Sequence, residues 1–385
     1  MTWDENSPVV VGKPNIAPVA TYAARVQEVM ESGWLTNNGP QVRMLETQLS
    51  ELLGVRNVVL VSNATLGLQL ALRALVPDGE VILPSFTFAA TAQAIRWCGL
   101  TPRFIDIDPV TQQVDISALE AAITPQTRAI IPVHMWGQAC DVTAIQALAN
   151  RFNVRAIYDA AHAFCSEFQG QRIGGFGDAE VFSFHATKFF NTFEGGAVTT
   201  NDDEIAQRLR HLRSFGMANG TIGADGTNAK MSEVHAAHGL CLLPELPRII
   251  AHNNQIIDSL ATAFSGSDVI RMIPTTGRGL TNGQYAILQV THGDIPRDVL
   301  IDALNLSGIT CRAYFTPPCH LHIGAEPSDA LPHTEYAAAT TIAIPSGMQL
   351  SVDRAQAMAG VILTQAEKLR PRVYTVADAI ARRIA

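Results

Sequence analysis

The chain has 385 residues, 47% of them hydrophobic, and a formal net charge of −8. Single cores rarely grow past roughly 250–300 residues, so two domains are expected. An acidic chain with no basic run argues against nucleic acid as the main partner, and no stretch approaches the ~18 unbroken apolar residues of a membrane span.

Along the chain, residues 17–31 read as an amphipathic helix ending at Gly33, and Gln41 to Leu53 as another, stopped by Gly54. Strands and helices then alternate. Asn57–Val61 is an expected strand and Ala64–Ala74 a helix; Glu80–Leu83 is a strand and Thr87–Trp97 a helix. Strands follow at Arg103–Ile105 and Arg128–Val133, then the helix Thr143–Arg151 and the strand Val154–Tyr158. This order predicts an α/β fold with a mostly parallel sheet covered by helices on both faces. Glu180–Phe184 and Gly196–Thr200 add strands with no long helix between them. The Gly-, Asn- and Thr-rich segment 216–228 reads as a mobile or partner-contacting loop, and Met231–Leu243 returns to helix. Residues 1–246 are therefore expected to form a large domain that includes the N-terminal segment, and 247–385 a small α+β domain. The small domain has strands near 267–273 and 284–290, helices near 296–304 and 352–368, and a surface helix over 369–385.

Six scattered cysteines, Cys98, Cys140, Cys165, Cys241, Cys311 and Cys319, form no CxxC pair. They fit reduced thiols better than a disulfide framework or a zinc site. The first residues lack the basic start and apolar run of a secretory leader, so a cytoplasmic location is expected.

The chemistry concentrates around Lys188. Lysine is strongly hydrated and usually points into water. This one follows an apolar strand and is surrounded in sequence by Phe184, Phe189 and Phe190. A desolvated lysine has a lowered pKa and becomes an amine nucleophile, as condensation with an aldehyde cofactor requires. Asp159 ends an earlier strand, 29 positions upstream, where a carboxylate could keep the pyridine nitrogen of pyridoxal phosphate (PLP) protonated; a turn or capping aspartate is the ordinary alternative. Ser62-Asn63-Ala64-Thr65 lies between strand and helix, either a plain N-cap or a phosphate cradle. Of Phe86 and Phe88, which alternate, one is expected in the core and Phe88 on a cofactor ring. His162 is a core histidine or a partner of the ring oxygen. Ser183 and His185 share one side of their strand, and Glu194-Gly195-Gly196 turns the chain tightly into the next.

As a set these segments resemble the PLP-dependent nucleotide-sugar aminotransferases of the DegT/StrS type. The likeness rests on Ser62-Asn63-Ala64-Thr65, Pro84-Ser85-Phe86-Thr87-Phe88, Asp159-Ala160-Ala161-His162-Ala163, Ser183-Phe184-His185-Ala186-Thr187-Lys188 and Glu194-Gly195-Gly196-Ala197. Gly226-Thr227-Asn228-Ala229-Lys230-Met231 and Tyr314-Phe315-Thr316-Pro317 through His320 extend it into the C-terminal half. The resemblance implies the fold type I, aspartate-aminotransferase-like architecture, and a homodimer with active sites at the subunit interface. It makes Lys188 the Schiff-base lysine and Asp159 the pyridine partner. It places His162 at the ring oxygen and Ala64, Thr65 and Ser183 at the phosphate, which Asn228 of the other subunit also reaches. Phe88 stands where tryptophan or tyrosine often stacks. Lys230 replaces a frequent arginine, and Cys165 a common glycine.

The stretches around Gly33-Trp34-Leu35-Thr36-Asn37-Asn38 and Lys188 look most like the 4-aminotransferases acting on dTDP-4-keto-6-deoxyglucose with L-glutamate as amino donor. Asn37, Asn38, Lys230, Tyr314 and His320 are the candidate sugar-site residues. Two alternatives stay open: a 3-ketosugar aminotransferase of the same family, and a PLP-holding regulatory protein without turnover.

Overall fold

The computed structural model describes residues 3–217, 221–223, 225–274, 279–324 and 330–370. Seven strands form the main sheet in the order Asn57–Val61, Gly196–Thr200, Ala179–Ser183, Arg155–Asp159, Thr127–Ile130, Glu80–Pro84, Thr101–Ile105. Gly196–Thr200 runs antiparallel to both neighbours, and the other pairings are parallel. The exception has a local cause. Parallel neighbours need a crossover, usually a helix, whereas residues 184–195 carry none, so the chain returns as a hairpin. Lys188 sits on that return.

Successive side chains serve the two faces in turn, as the pleat requires. Val58 and Leu60 join a core with Leu45 and Leu49 of the helix Pro40–Leu53. Val59 and Val61 join the opposite core, with Leu68 and Leu72 of Ala64–Leu75, Ile95 of Ala89–Trp97 and Leu209 of Asp203–Arg213. Gly33 and Gly54 end their helices in the left-handed region, both with φ of 67°, where a side chain would be strained. Asp203–Arg213 and the short helix Ile116–Ala122 are additions to the elements read from the sequence.

The expected boundary near 246 falls at the start of a 19-residue helix, Leu246–Phe264, which the sequence pattern did not predict. Its Leu246 and Ile249 belong to the core under the main sheet, while Ile256, Leu260 and Phe264 belong to the C-terminal core. The latter is built on the antiparallel sheet Ile270–Met272, Ala286–Val290, Thr341–Ile344, with the helices Arg297–Leu306 and Val352–Leu369. The N-terminal segment reaches across the chain: Val9–Val10 lies parallel to Ile309–Thr310, and Val9 is buried in the C-terminal core. The helix expected over 369–385 falls, past residue 370, outside the described residues.

Candidate active site

The C-terminal ends of the parallel strands open into a cavity of about 470 Å³. Ala64 and Thr65 line it from the first turn of the helix Ala64–Leu75. The plain N-cap reading holds for Asn63, whose side chain accepts from Leu66 N at 2.8 Å. The cap leaves the preceding N–H groups of that turn at the helix's positive end, a seat suited to an anion. Gly196 makes the seat possible. A Cβ there would lie 2.7 Å from Phe182 O and 2.8 Å from Ala64 N, forcing strand and helix apart.

Asp159 is nearly fully buried at the end of its strand and lines the same cavity. Thr91 Oγ1 donates to Oδ2 at 2.7 Å and Ala161 N to Oδ1 at 3.1 Å. Burial raises its carboxyl above the ordinary range, against these two hydrogen bonds and the nearby Lys188. No ion pair within 4 Å holds Asp159 among the described residues. A carboxylate kept buried and unpaired in a cavity is unfavourable unless a cation arrives.

Lys188 also faces this cavity. Burial lowers its ammonium to about 8, against the pull of Tyr314 and Asp159. The phenylalanines beside it in sequence do not line the cavity. Phe184, Phe189 and Phe190 turn inward onto Phe164, with ring centroids 5.2, 6.1 and 4.8 Å from it, and so anchor the loop. The amine itself meets Tyr285, donating to its hydroxyl at 2.8 Å.

His162 and its neighbours form an aromatic wall. Its ring is stacked on Trp136 (5.6 Å, 14°) and lies 4.5 Å from Tyr285. Trp136 in turn stacks on Phe315 at 5.4 Å and 4°, and its Nε1 donates to Gln112. Burial, then the Lys188 charge, lowers the His162 pKa well below its ordinary value, so the ring is neutral. Its Nδ1 is buried without a hydrogen-bond partner among the described residues. Across the cavity, Phe88 is 61% exposed while Phe86 is fully buried against Trp136 and Phe315, the division expected from their alternation.

Ser183 and Tyr314 line the cavity as well. Other candidates do not. His320 is buried, with Nδ1 2.7 Å from Ser85 Oγ and its ring edge against Phe104, so it is a packed core histidine of this chain. Asn37 and Asn38 form a left-handed turn, with φ of 66° and 61°, and Asn38 Oδ1 accepts from Arg213. Asn228 and Lys230 are joined to each other at 2.5 Å and lie outside the cavity of their own chain. Conversely, Thr91, Tyr285, Arg312 and Trp136 were not picked out from the sequence. The polar run Asn282-Gly283-Gln284 before an apolar strand was the available signal for Tyr285: Asn282 Nδ2 donates to His162 O and Phe164 O at 2.8 and 3.0 Å and ties the two segments together. Cys165 takes φ of 61°, a left-handed conformation that glycine adopts without strain.

Fold and cavity together define a pyridoxal-type aminotransferase architecture, and the comparisons agree. The model of the DegT/DnrJ/EryC1/StrS aminotransferase family matches residues 19–362, and the chain belongs to that family. It is 37% identical over 312 residues to a dTDP-4-amino-4,6-dideoxy-D-glucose transaminase of Shigella dysenteriae, covering 80% of this chain and 85% of that one. With the GDP-perosamine synthase of Caulobacter vibrioides it shares 34% over 313 residues, 78% of this chain and 84% of the other. Among solved structures, DesI in the presence of its TDP-sugar product matches with a TM-score of 0.89 at 40% identity, covering 98% and 96% of the two chains. The Streptococcus pneumoniae protein Spr1654 in its PLP form matches at 0.88 and 26%, covering 94% of this chain and 100% of that one.

Proposed function

We propose that the chain is a PLP-dependent aminotransferase that moves the amino group of L-glutamate to C4 of dTDP-4-keto-6-deoxyglucose, giving dTDP-4-amino-4,6-dideoxyglucose. One observation carries the reading: a lysine of lowered pKa and a buried, unpaired carboxylate open onto one cavity that begins at a helix N-terminus. The residues suit PLP. Asp159 lacks a cation, His162 Nδ1 lacks a partner, and the first turn at Ala64 and Thr65 offers N–H groups to a phosphate. The substrate class is supported by the relatives named dTDP-sugar transaminase and by DesI with its TDP-sugar product.

When bound, PLP supplies an aldehyde that takes up amines and a ring that stores the electron pair of a broken C–H bond. The protein's part is to hold and to move protons. Ala64, Thr65 and Ser183 would hold the phosphate, Asp159 would keep the ring nitrogen protonated, Phe88 would cover a ring face, and His162 would meet the ring oxygen. Lys188 Nζ takes the proton from the glutamate Cα in one half of the cycle and returns one to the sugar carbon in the other. Asn228 and Lys230, outside their own cavity, serve the neighbouring subunit of a homodimer. The division at 246/247, with the cavity between the two units, and a cytoplasmic location, which the six free thiols suit, complete the proposal.

Purified protein with PLP, glutamate and either the 4-keto or the 3-keto dTDP-6-deoxyhexose, followed by product NMR, tests the function. A C4-amino product is expected. Conversion of the 3-keto sugar alone would move the reaction to C3, and no product from either, with cofactor bound, would favour a PLP-holding protein without turnover.

A further inference from the structure

We propose that Tyr285 is the positioning residue of the reactive lysine: its hydroxyl holds the Lys188 amine against the wall of the C-terminal half whenever that amine is not engaged. The inference rests on the reading of Lys188 given above. Three observations carry it. Lys188 Nζ donates to Tyr285 Oη at 2.8 Å and lies 5.4 Å from the centroid of the same ring. Tyr285 is itself buried and wedged between His162 at 4.5 Å and Trp136 at 5.6 Å, so the hydroxyl cannot wander. The segment bearing it is fastened: Asn282, fully buried, donates twice to the His162–Phe164 turn and accepts from Gln284 N at 3.0 Å.

The geometry gives Tyr285 a function that packing alone would not need. A lysine displaced from its cofactor has four flexible carbons and a large entropy to lose before it can act again as acid or base. A fixed acceptor removes much of that search. It also ties the amine's place to the C-terminal half, because Tyr285 enters the strand Ala286–Val290 while Lys188 belongs to the main-sheet hairpin. The titratable and charged groups that share the cavity with Lys188 are Asp159 and His162 from the sheet edge, His185 and Glu194 from its own hairpin, and Tyr285, Tyr314 and Arg312 from the C-terminal half. Of these, among the described residues, only Tyr285 lies within hydrogen-bond reach of Nζ.

Two measurements on the wild type and on Tyr285→Phe test this, with circular dichroism as the check on folding. First, borohydride reduction of the PLP-loaded proteins and peptide mapping establish whether the pyridoxyl group is on Lys188. Second, cofactor-free proteins are acetylated in trace amounts from pH 6 to 10, and the labelling of Lys188 is read by mass spectrometry against Lys13 and Lys368. A charge-assisted bond is roughly twice as strong as a neutral one, so losing the acceptor disfavours the ammonium. The Lys188 profile in Tyr285→Phe is expected to move down by about one pH unit, making its labelling at pH 7 roughly fivefold faster. Profiles that coincide while the pyridoxyl group still maps to Lys188 overturn this inference and leave the function intact. A pyridoxyl group on another lysine overturns both.

Discussion

Replacing Asp159 by asparagine should separate a functional carboxylate from a structural one by the sign of its effect. The substitution keeps the shape. Oδ1 can go on accepting from Ala161 N, and the new amide can donate to Thr91 Oγ1, which sits 3.2 Å from Thr87 Oγ1 and can turn its own proton there. What is lost is the charge. In the cofactor-free chain that charge is buried and unpaired, so its removal is expected to leave stability unchanged or raise it by about 1 kcal/mol. In the loaded protein the charge opposes the ring nitrogen's proton. Breaking a buried pair costs on the order of 3–5 kcal/mol, about 10²–10⁴ in the PLP dissociation constant. Spectral titration of the cofactor-free proteins with PLP, together with their melting temperatures, reads both. A dissociation constant within threefold of wild type, or a melting temperature several degrees lower, would refute the assignment and make Asp159 a turn-holding residue.

Other expectations concern the same cavity. Lys188→Ala should bind PLP without a covalent link and complete no turnover; pyridoxyl mapping in the wild type, whose four lysines are Lys13, Lys188, Lys230 and Lys368, should find Lys188 alone. The folded-state value of about 8 for Lys188 lies below the ordinary 10.5. Below pH 8 the lysine is charged in both states and its burial penalty is complete; between 8 and 10.5 the folded chain holds a neutral amine, and the penalty fades by about 1.4 kcal/mol per unit. Lys188→Met should therefore stabilise the cofactor-free protein at pH 7 and by less at pH 9.5, and a melting-temperature difference that ignores pH would contradict the burial argument. Gly196→Ala, with no room for its methyl, should destabilise by about 1–3 kcal/mol and weaken PLP binding, as thermal melts and titration would reveal. Mixing inactive Lys188→Ala and Asn228→Ala subunits should restore part of the activity if Asn228 serves the partner's cavity; confirmed hybrids without recovery would argue that each site is self-sufficient.

The sequence made the main sheet readable because its strands are short β-branched runs bounded by capping residues and glycine stops, as at Asn57–Val61 and Gly54. Asp203–Arg213 stayed hidden because charged residues dominate it and its apolar stripe, Ala206, Leu209 and Leu212, is thin. Leu246–Phe264 stayed hidden because Pro244 and Pro247 read as a break, whereas proline is tolerated in a first turn. In the cavity, Lys188 and Asp159 were legible because each breaks the ordinary rule for its residue type. Tyr285 was not, since an aromatic entering an apolar strand looks like any core residue until a partner 97 positions away is seen beside it. His320 was picked out for its polarity in a loop-like segment, and what the pattern did not reveal is its partner, Ser85, inside the core.

The pairing of Val9–Val10 with Ile309–Thr310 bears on when this enzyme can first become active during its synthesis. Gly12, two residues further on, lies against Thr187; a Cβ there would be 3.0 Å from the threonine's own. The first strand thus has no partner until the ribosome has added 300 more residues (309 − 9), and the turn that carries Lys188, made on the way, waits for the same strand. The N-terminal segment that packs on the Lys188 turn is therefore fixed only once the C-terminal half exists.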